Sequence, residues 1–591
     1  MKKRYSLILA LVSSLVSQAQ MPQAYDYLEF NEFTFPITST GDLFHTADPN
    51  FSGLTYGNDN IPLAYAANLW IGGTSPDQQL KLAAEMYTGI SGDFIPGPIA
   101  NAATQEELEL IREGYNRVFT ADREQVELHT AYFEAVLNGT VEQAFPNGYT
   151  VPQNFFDWPA MGPYTLGTAL YLAPFFDFDG DGFYNPAAGD YPEFCGDKCA
   201  FVIFNDQIVH ESSFGQPIGL EVHLMIFCYE DNVNEDLKNT IFLNYTFFNR
   251  GTQTLKDTHV GIWNDFDLGN YLDDRLMTNV KRGAIVAYNG DANDEVLSGV
   301  PGFGEDLAAF GMMVLSGPSL DEDLTDNEPI DEIHFGETQS YGPQGFGFGD
   351  GAFDNETLGL SYSIAMTSSP ISQDGPPGNS SQYSNYMEAR FLDGSNQIFL
   401  TDPEEAPSRY HAPKNTDPLD VATSSELSIE WNEEDTGELA RDVQMLGAMG
   451  PFTLQPEQQF GVSLAYVFVR DSEDGETTVL EAMDERLKNI RLIYNETGGN
   501  CFADNILSTH EITAEIPKTT VFPNPATSFI QVKSDKINQD YKIFNSLGSL
   551  VQQGVLRATG NRIDVMALSK GIYTIQISNK NSSVSTKFIV E

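Results

Sequence analysis

Residues 241–252 read Ile241-Phe242-Leu243-Asn244-Tyr245-Thr246-Phe247-Phe248-Asn249-Arg250-Gly251-Thr252. Eight positions dominated by aromatic and β-branched side chains run into a polar, glycine-bearing break, which is the pattern of a strand followed by a turn. Apolar residues fall on both faces of that strand, so it must be covered on both sides, as at the centre of a sandwich. The apolar run at 259–263 follows the break, and the pair is expected to form an antiparallel hairpin. Further strands are expected at 201–204, 221–229, 284–288, 310–315, 358–365 and 460–469. Acidic or turn-rich loops at 320–332 and 339–356 lie between them. Leu480, Met483, Leu487 and Ile490 recur at helical spacing and predict a closing helix over 480–494.

The composition agrees. The 591 residues include 40 Phe, 26 Tyr and 50 Gly but only 31 Lys and Arg, a mixture that favours a mainly β chain of several domains. The net charge of −53 repels nucleic acid and anionic membranes, which makes both poor partners. It fits a well-solvated surface, and it also fits carboxylates clustered to bind Ca²⁺. Four cysteines are too few for a disulfide framework. Cys195 and Cys199 are close enough in sequence for a small disulfide loop, while Cys228 and Cys501 carry no assignment.

Residues 1–19 have the form of a signal peptide: Lys2, Lys3 and Arg4, an apolar stretch at 6–16, then Ser17 and Ala19 at the small-residue positions before Gln20. No other stretch is apolar for long enough to span a membrane as a helix. Region 20–200 reads as irregular and then helical. An exception is 65–73, a buried strand running into a glycine turn at Gly72-Gly73. Phe94-Ile95-Pro96-Gly97-Pro98 is a rigid turn. Thr104 and Glu107 form a capping box ahead of Leu108, Ile111, Tyr115 and Val118. A second helix opens at Asp122, turns Val126, Phe133 and Leu137 inward, and stops at Asn138-Gly139. Region 201–500 is the main β-sandwich-like domain, and 501–520 a linker.

The strongest local motif for chemistry is Asp177-Phe178-Asp179-Gly180-Asp181-Gly182-Phe183. Alternating Asp with a following Gly is how a short loop wraps a hard cation: carboxylates point inward and glycine makes the bend. The twelfth loop position is Ala188, not the Glu of an EF-hand. The motif is closer to the Asp-rich calcium loops of thrombospondin type 3 and dockerin repeats, although only one copy is present. The expected Ca²⁺ ligands are Asp177, Asp179, Asp181, the Phe183 carbonyl and Asp190; the plain alternative is a loop held by Asx turns. A second acidic group comprises Asp265, Asp267, Asp273 and Asp274, and a third Asp350, Asp354 and Glu356. Either can hold a cation or pair as general acid and base. Glu221 and His223 share a strand face and read as a structural pair or a solvated face, against a metal site. No nucleophile elbow, zincin, Walker or dinucleotide motif is present.

Residues 521–591 differ in composition, with eight Lys or Arg against four acidic residues. They hold Phe522-Pro523-Asn524-Pro525-Ala526, Ile543-Phe544-Asn545-Ser546-Leu547-Gly548, Ile563-Asp564-Val565 and Leu568-Ser569-Lys570-Gly571-Ile572-Tyr573. In that order these motifs resemble the type A C-terminal sorting domain of the type IX secretion system of the Bacteroidota. The resemblance implies an immunoglobulin-like β-sandwich, passage through the periplasm, contact with the secretion machinery, and removal of the domain at the surface with release or lipopolysaccharide attachment. The remainder resembles large exported proteins that carry the same domain, through Leu69-Trp70-Ile71-Gly72-Gly73, Pro96-Gly97-Pro98, Asp157-Trp158-Pro159-Ala160, the stretch 177–191, Asn205-Asp206 and Trp263-Asn264-Asp265-Phe266-Asp267-Leu268-Gly269. That group implies no activity. The expectation is a secreted or surface-attached β protein with a small helical insertion and calcium-stabilised loops. It is expected to be adhesive or structural, with a glycan or matrix-protein ligand. The alternative is a secreted hydrolase of glycosides or peptides using loop carboxylates.

Overall fold

The computed structural model describes residues 23–590, apart from 88, 90, 91, 231–233, 328–344, 346, 349–352, 399–407, 415–432, 434–439, 471–477, 497–519, 523–525, 534–538, 546–549, 557–560, 567, 580 and 581. The leader, Cys501, Asp350 and nearly all of the linker therefore lie outside the described residues. The chain divides into two compact units, Met1–Ile506 and Leu507–Glu591. No helix among the described residues is long and apolar enough to cross a membrane.

The first unit is built on two large sheets. One has the order Tyr25–Phe30, Phe33–Thr38, Leu54–Tyr56, Ile61–Thr74, Leu255–Phe266, Val443–Leu454, Tyr362–Met366, with Leu80–Ala84 also paired to Ile61–Thr74. The other runs Pro413–Lys414, Asp274–Asn279, Ala284–Asn289, Ala308–Ser316, Gln459–Arg470, Thr240–Asn249, Leu220–Cys228, Lys198–Asn205, Ile95–Pro96, with Phe119–Asp122 also on Lys198–Asn205. Only the Pro413–Lys414 pairing is parallel among these named strands. Both sheets draw strands from either side of residue 200.

The period of two sorts the side chains into layers. Leu69, Ile71, Val260 and Ile262 of the first sheet meet Val222, Leu243, Leu464 and Tyr466 of the second in one apolar core. The intervening residues face outward and are covered in turn. Trp70, Trp263 and Leu446 pack under Tyr383, Tyr386 and Met387 of the helix Ser380–Met387. Ala465, Val467 and Met313 pack under Met483, Leu487 and Ile490 of the helix Val479–Glu496. Each of those three helical side chains is fully buried and stabilises the unit by roughly 1.5–3 kcal/mol.

The expected hairpin does not form. Thr240–Asn249 pairs with Leu220–Cys228 and Gln459–Arg470, whereas Leu255–Phe266 pairs with Ile61–Thr74 and Val443–Leu454 in the opposite sheet. Residues 250–254 are therefore a crossover and not a tight turn. They are tied down by Arg250 N–H to Gly219 O at 2.9 Å and by Thr254 Oγ1 to Gln455 Oε1 at 2.8 Å. Two strands that are each apolar on both faces satisfy that pattern by stacking across the core as readily as by pairing.

Both predicted N-terminal helices are present. Gln105–Tyr115 starts at the Thr104–Glu107 capping box, and Arg123–Asn138 runs from an Asp122 cap to Gly139 in the left-handed conformation. Leu137 departs from expectation: it is 74% exposed, and Val126, His129 and Ala135 form the buried side. Cys195 is disulfide-bonded, but not to Cys199. Cys199 and Cys228 are buried free thiols, and they sit in cores on opposite faces of one sheet, so they cannot join.

His259 is 5% exposed in the strand Leu255–Phe266, and its Nε2 has no hydrogen-bond partner. Burial pushes its pKa down to about 4. The unfolded chain therefore binds this proton first. The stability conferred is present above pH ~6.5 and is lost as pH falls through 4. Compared with His259→Phe, the native chain is expected to lose about 3 kcal/mol more between pH 7 and pH 4 in urea titrations; parallel pH profiles would refute this assignment.

The second unit has a three-stranded sheet, Thr520–Phe522, Phe529–Lys533 and Asn561–Asp564. Its four-stranded partner has the order Leu550–Leu556, Gln539–Asn545, Gly571–Asn579, Ser582–Val590. Ile530, Val532, Ile543, Ile563, Tyr573, Ile575, Phe588 and Val590 form its own core at period two.

Candidate functional site

Two groups of carboxylates among the described residues converge closely enough to share a cation. The first lies in the loop 177–190, whose neck is the strand pair Phe175–Phe176 and Tyr191–Pro192. Asp177 turns the chain by accepting from Gly180 N at 2.7 Å and Gly182 N at 2.8 Å. Asp190 is fully buried and fastens both limbs, accepting from Phe178 N at 2.8 Å and Asn185 N at 2.7 Å. Oxygens of Asp177, Asp179 and Asp190 all lie within 4.8 Å of one another. Burial pushes the Asp190 pKa up, its two N–H bonds oppose the rise, and Asp177 and Asp179 add to it. Of the five sequence-predicted ligands, three are thus gathered. Asp181 stands apart from that group, accepting from Phe183 N at 2.7 Å, and Phe183 is 56% exposed.

The second group joins Asp265 and Asp267 to Asp442, again within 4.8 Å. Strand register explains it. Asp265 lies opposite Gln444 on the neighbouring strand, and Asp442 precedes that strand. Tyr87 donates to Asp265 Oδ2 at 2.7 Å, and Gln444 Nε2 donates to the Tyr87 hydroxyl at 3.0 Å. The Tyr87 ring stands edge-on to Trp263 at 4.9 Å. Burial pushes Asp265 up to about 7; hydrogen bonding by Tyr87 and Gln444 opposes the rise and Asp442 adds to it. Asp267 is also raised well above the usual carboxylate range, by burial and by both neighbours. At an effective dielectric of about 20, two such charges 4.8 Å apart repel by roughly 3.5 kcal/mol, so an unneutralised cluster of three opposes folding.

Asp273 and Asp274, grouped with Asp265 by sequence, go elsewhere. Asp274 is buried and accepts from Leu268 N at 3.0 Å; Asp273 bonds Asn270 at 2.7 Å. In the third group Asp354 caps Asp323 and Leu324, and Glu356 accepts from Asn327 N. Glu221 and His223 form the expected structural pair at 3.2 Å, supported by Arg250 and Ile99 N.

The tail can now be placed. Residues 520–591 match the family model described as the secretion system C-terminal sorting domain. The tail is a type IX sorting domain. The sorting domain directs export to the cell surface or the extracellular space and implies contact with the secretion machinery. No curated protein matches the chain. Among solved structures, a protein titled polysaccharide lyase aligns with 63% of this chain and 34% of its own length, at 9% identity and a TM-score of 0.18. This chain spans about a third of that protein, and so slight a likeness says nothing about the fold or activity of the part that precedes the sorting domain.

Proposed function

We propose that the exported unit is an adhesive or structural protein of the cell exterior, in which calcium rigidifies the loop 177–190 beside a surface that takes a glycan or matrix-protein ligand. The observation that supports this is the company the loop keeps. Tyr171, Phe176 and Phe183 are each about half exposed. Tyr171 donates to Gly182 O at 3.2 Å, and Phe176 stacks on Tyr191 at 4.8 Å. Exposed aromatic rings held by a rigid frame give contact area at little entropic cost. The carboxylates of Asp177, Asp179 and Asp190 supply hard oxygen ligands for Ca²⁺, and none of them has an ion pair to a basic side chain among the described residues.

The test is a glycan and matrix-protein array probed with the protein lacking its sorting domain, in calcium and in chelator. Binding is expected in calcium only, reduced about tenfold or more by Asp179→Asn and by Phe183→Ala. Cleavage of an arrayed glycan or peptide would overturn the adhesive reading in favour of a hydrolase, and chelator-resistant binding would overturn the role of calcium.

A further inference from the structure

We propose that Asp265, Asp267, Asp442 and Gln444 form a second calcium site, at the end of the strand Leu255–Phe266 and independent of the loop 177–190. The converging carboxylates are one observation. A second, separate one is a pair of buried oxygens with nothing to accept from. Gln444 is 3% exposed, and while its Nε2 donates to Tyr87, its Oε1 has no hydrogen-bond partner. Asp265 is 5% exposed; its Oδ2 accepts from Tyr87, yet its Oδ1 is also without a partner. These two side chains face each other across adjacent strands.

Buried polar atoms are nearly always satisfied; the Gln444 oxygen can only accept, and so can Asp265 Oδ1 when the carboxyl is ionised, the form a bound cation favours. The basic side chain closest in sequence, Arg441, is paired with Glu433 at 3.1 Å. A cation satisfies both orphan oxygens and the charge of the three carboxylates at once. The donor set is all oxygen, with no thiolate or imidazole in the converging group, which selects a hard divalent ion over zinc or copper. Its mixture of carboxylate and amide oxygens suits the adaptable shell of Ca²⁺ better than the strict octahedron of Mg²⁺. Asp267 and Asp442 are only half-buried, leaving a way in from solvent.

The experiment is calorimetry with CaCl₂ on the chelator-treated protein, paired with Tb³⁺ luminescence excited through tryptophan. Two equivalents of calcium are expected per chain. The Asp177→Asn/Asp179→Asn variant should retain one, and in that background Asp267→Asn/Asp442→Asn should weaken the remaining one by about a hundredfold or more. Sensitised Tb³⁺ emission should fall with Trp263→Phe and with Asp267→Asn/Asp442→Asn. Both substituted carboxylates are half-buried, and circular dichroism checks that the variant folds; Gln444→Met is the second variant, expected to weaken the same equivalent. Calcium binding unchanged by Asp267→Asn/Asp442→Asn overturns this site whatever the loop does. So does a single equivalent that the loop substitutions abolish. Retention of both equivalents in the loop variant would instead overturn the loop site alone.

Discussion

Truncation of the chain before Thr520 is expected to abolish its appearance at the cell surface and in the medium, leaving the first unit folded in the periplasm. The sorting domain and the rest of the chain have separate apolar cores, so removing one does not open the other. The sorting domain is also set apart chemically, carrying an excess of basic residues in a protein of net charge −53. Fractionation with an antibody against the first unit reads the result, and fusion of residues 520–591 to a periplasmic reporter provides the converse. Surface display of the truncated chain, or a fused reporter that stays in the periplasm, would refute this reading of the tail.

The second large effect is expected at Asp206. Its carboxylate is fully buried and accepts three successive backbone N–H groups, from Ile218 at 2.6 Å, Gly219 at 2.9 Å and Leu220 at 2.6 Å. It thereby closes the loop 206–219, which also reaches the other sheet. His210 contacts Leu82 O at 2.7 Å, Leu82 N donates to Gln216 O at 3.0 Å, and Asp93 accepts from the Ser213 hydroxyl. Asp206→Ala leaves the buried N–H groups of Ile218 and Leu220 unsatisfied, at about 1–3 kcal/mol each, and the half-buried one of Gly219 at less. The unfolding free energy of the first unit should fall by about 3–6 kcal/mol, measured by urea titration of tryptophan fluorescence. A loss below about 1 kcal/mol would show that water replaces the carboxylate, and the clasp would then not hold the sheets together.

Local patterns made much of this molecule legible. The Thr104–Glu107 capping box and the Asn138-Gly139 stop mark the N-terminal helices because their cause lies within a few residues. Apolar runs mark many of the longer strands, and the ordered motifs of the tail identify it outright. The misses share one origin. Tyr25–Phe30 and Phe33–Thr38 turn on Asn31, which adopts a left-handed φ of 56° without a glycine to announce it. Val443–Leu454 contains Gly447 and Gly450-Pro451, residue types that break a strand pattern, yet it pairs with Leu255–Phe266 and its first eight residues are buried. The pairing of 241–248 with 259–263 failed because apolar faces say that a strand is covered and not by which partner. The candidate sites divide along the same line. Asp177, Asp179 and Asp190 belong to one short loop, so their convergence is legible in the sequence. Asp442 meets Asp265 and Asp267 only through strand register, a relation absent from any local window.

The interleaving of the first sheet also sets a clock. Leu255–Phe266 is flanked by Ile61–Thr74 on one side and Val443–Leu454 on the other, so the centre of that sheet cannot close until most of the chain has been made. At about 5–20 residues per second, the interval between synthesis of these flanking strands lasts tens of seconds. Pairings of such long range are slow to form even when the chain is complete. Throughout that interval the early segment has no finished sheet to join, and a chain crossing a membrane in the same interval has no completed sandwich to be pulled apart.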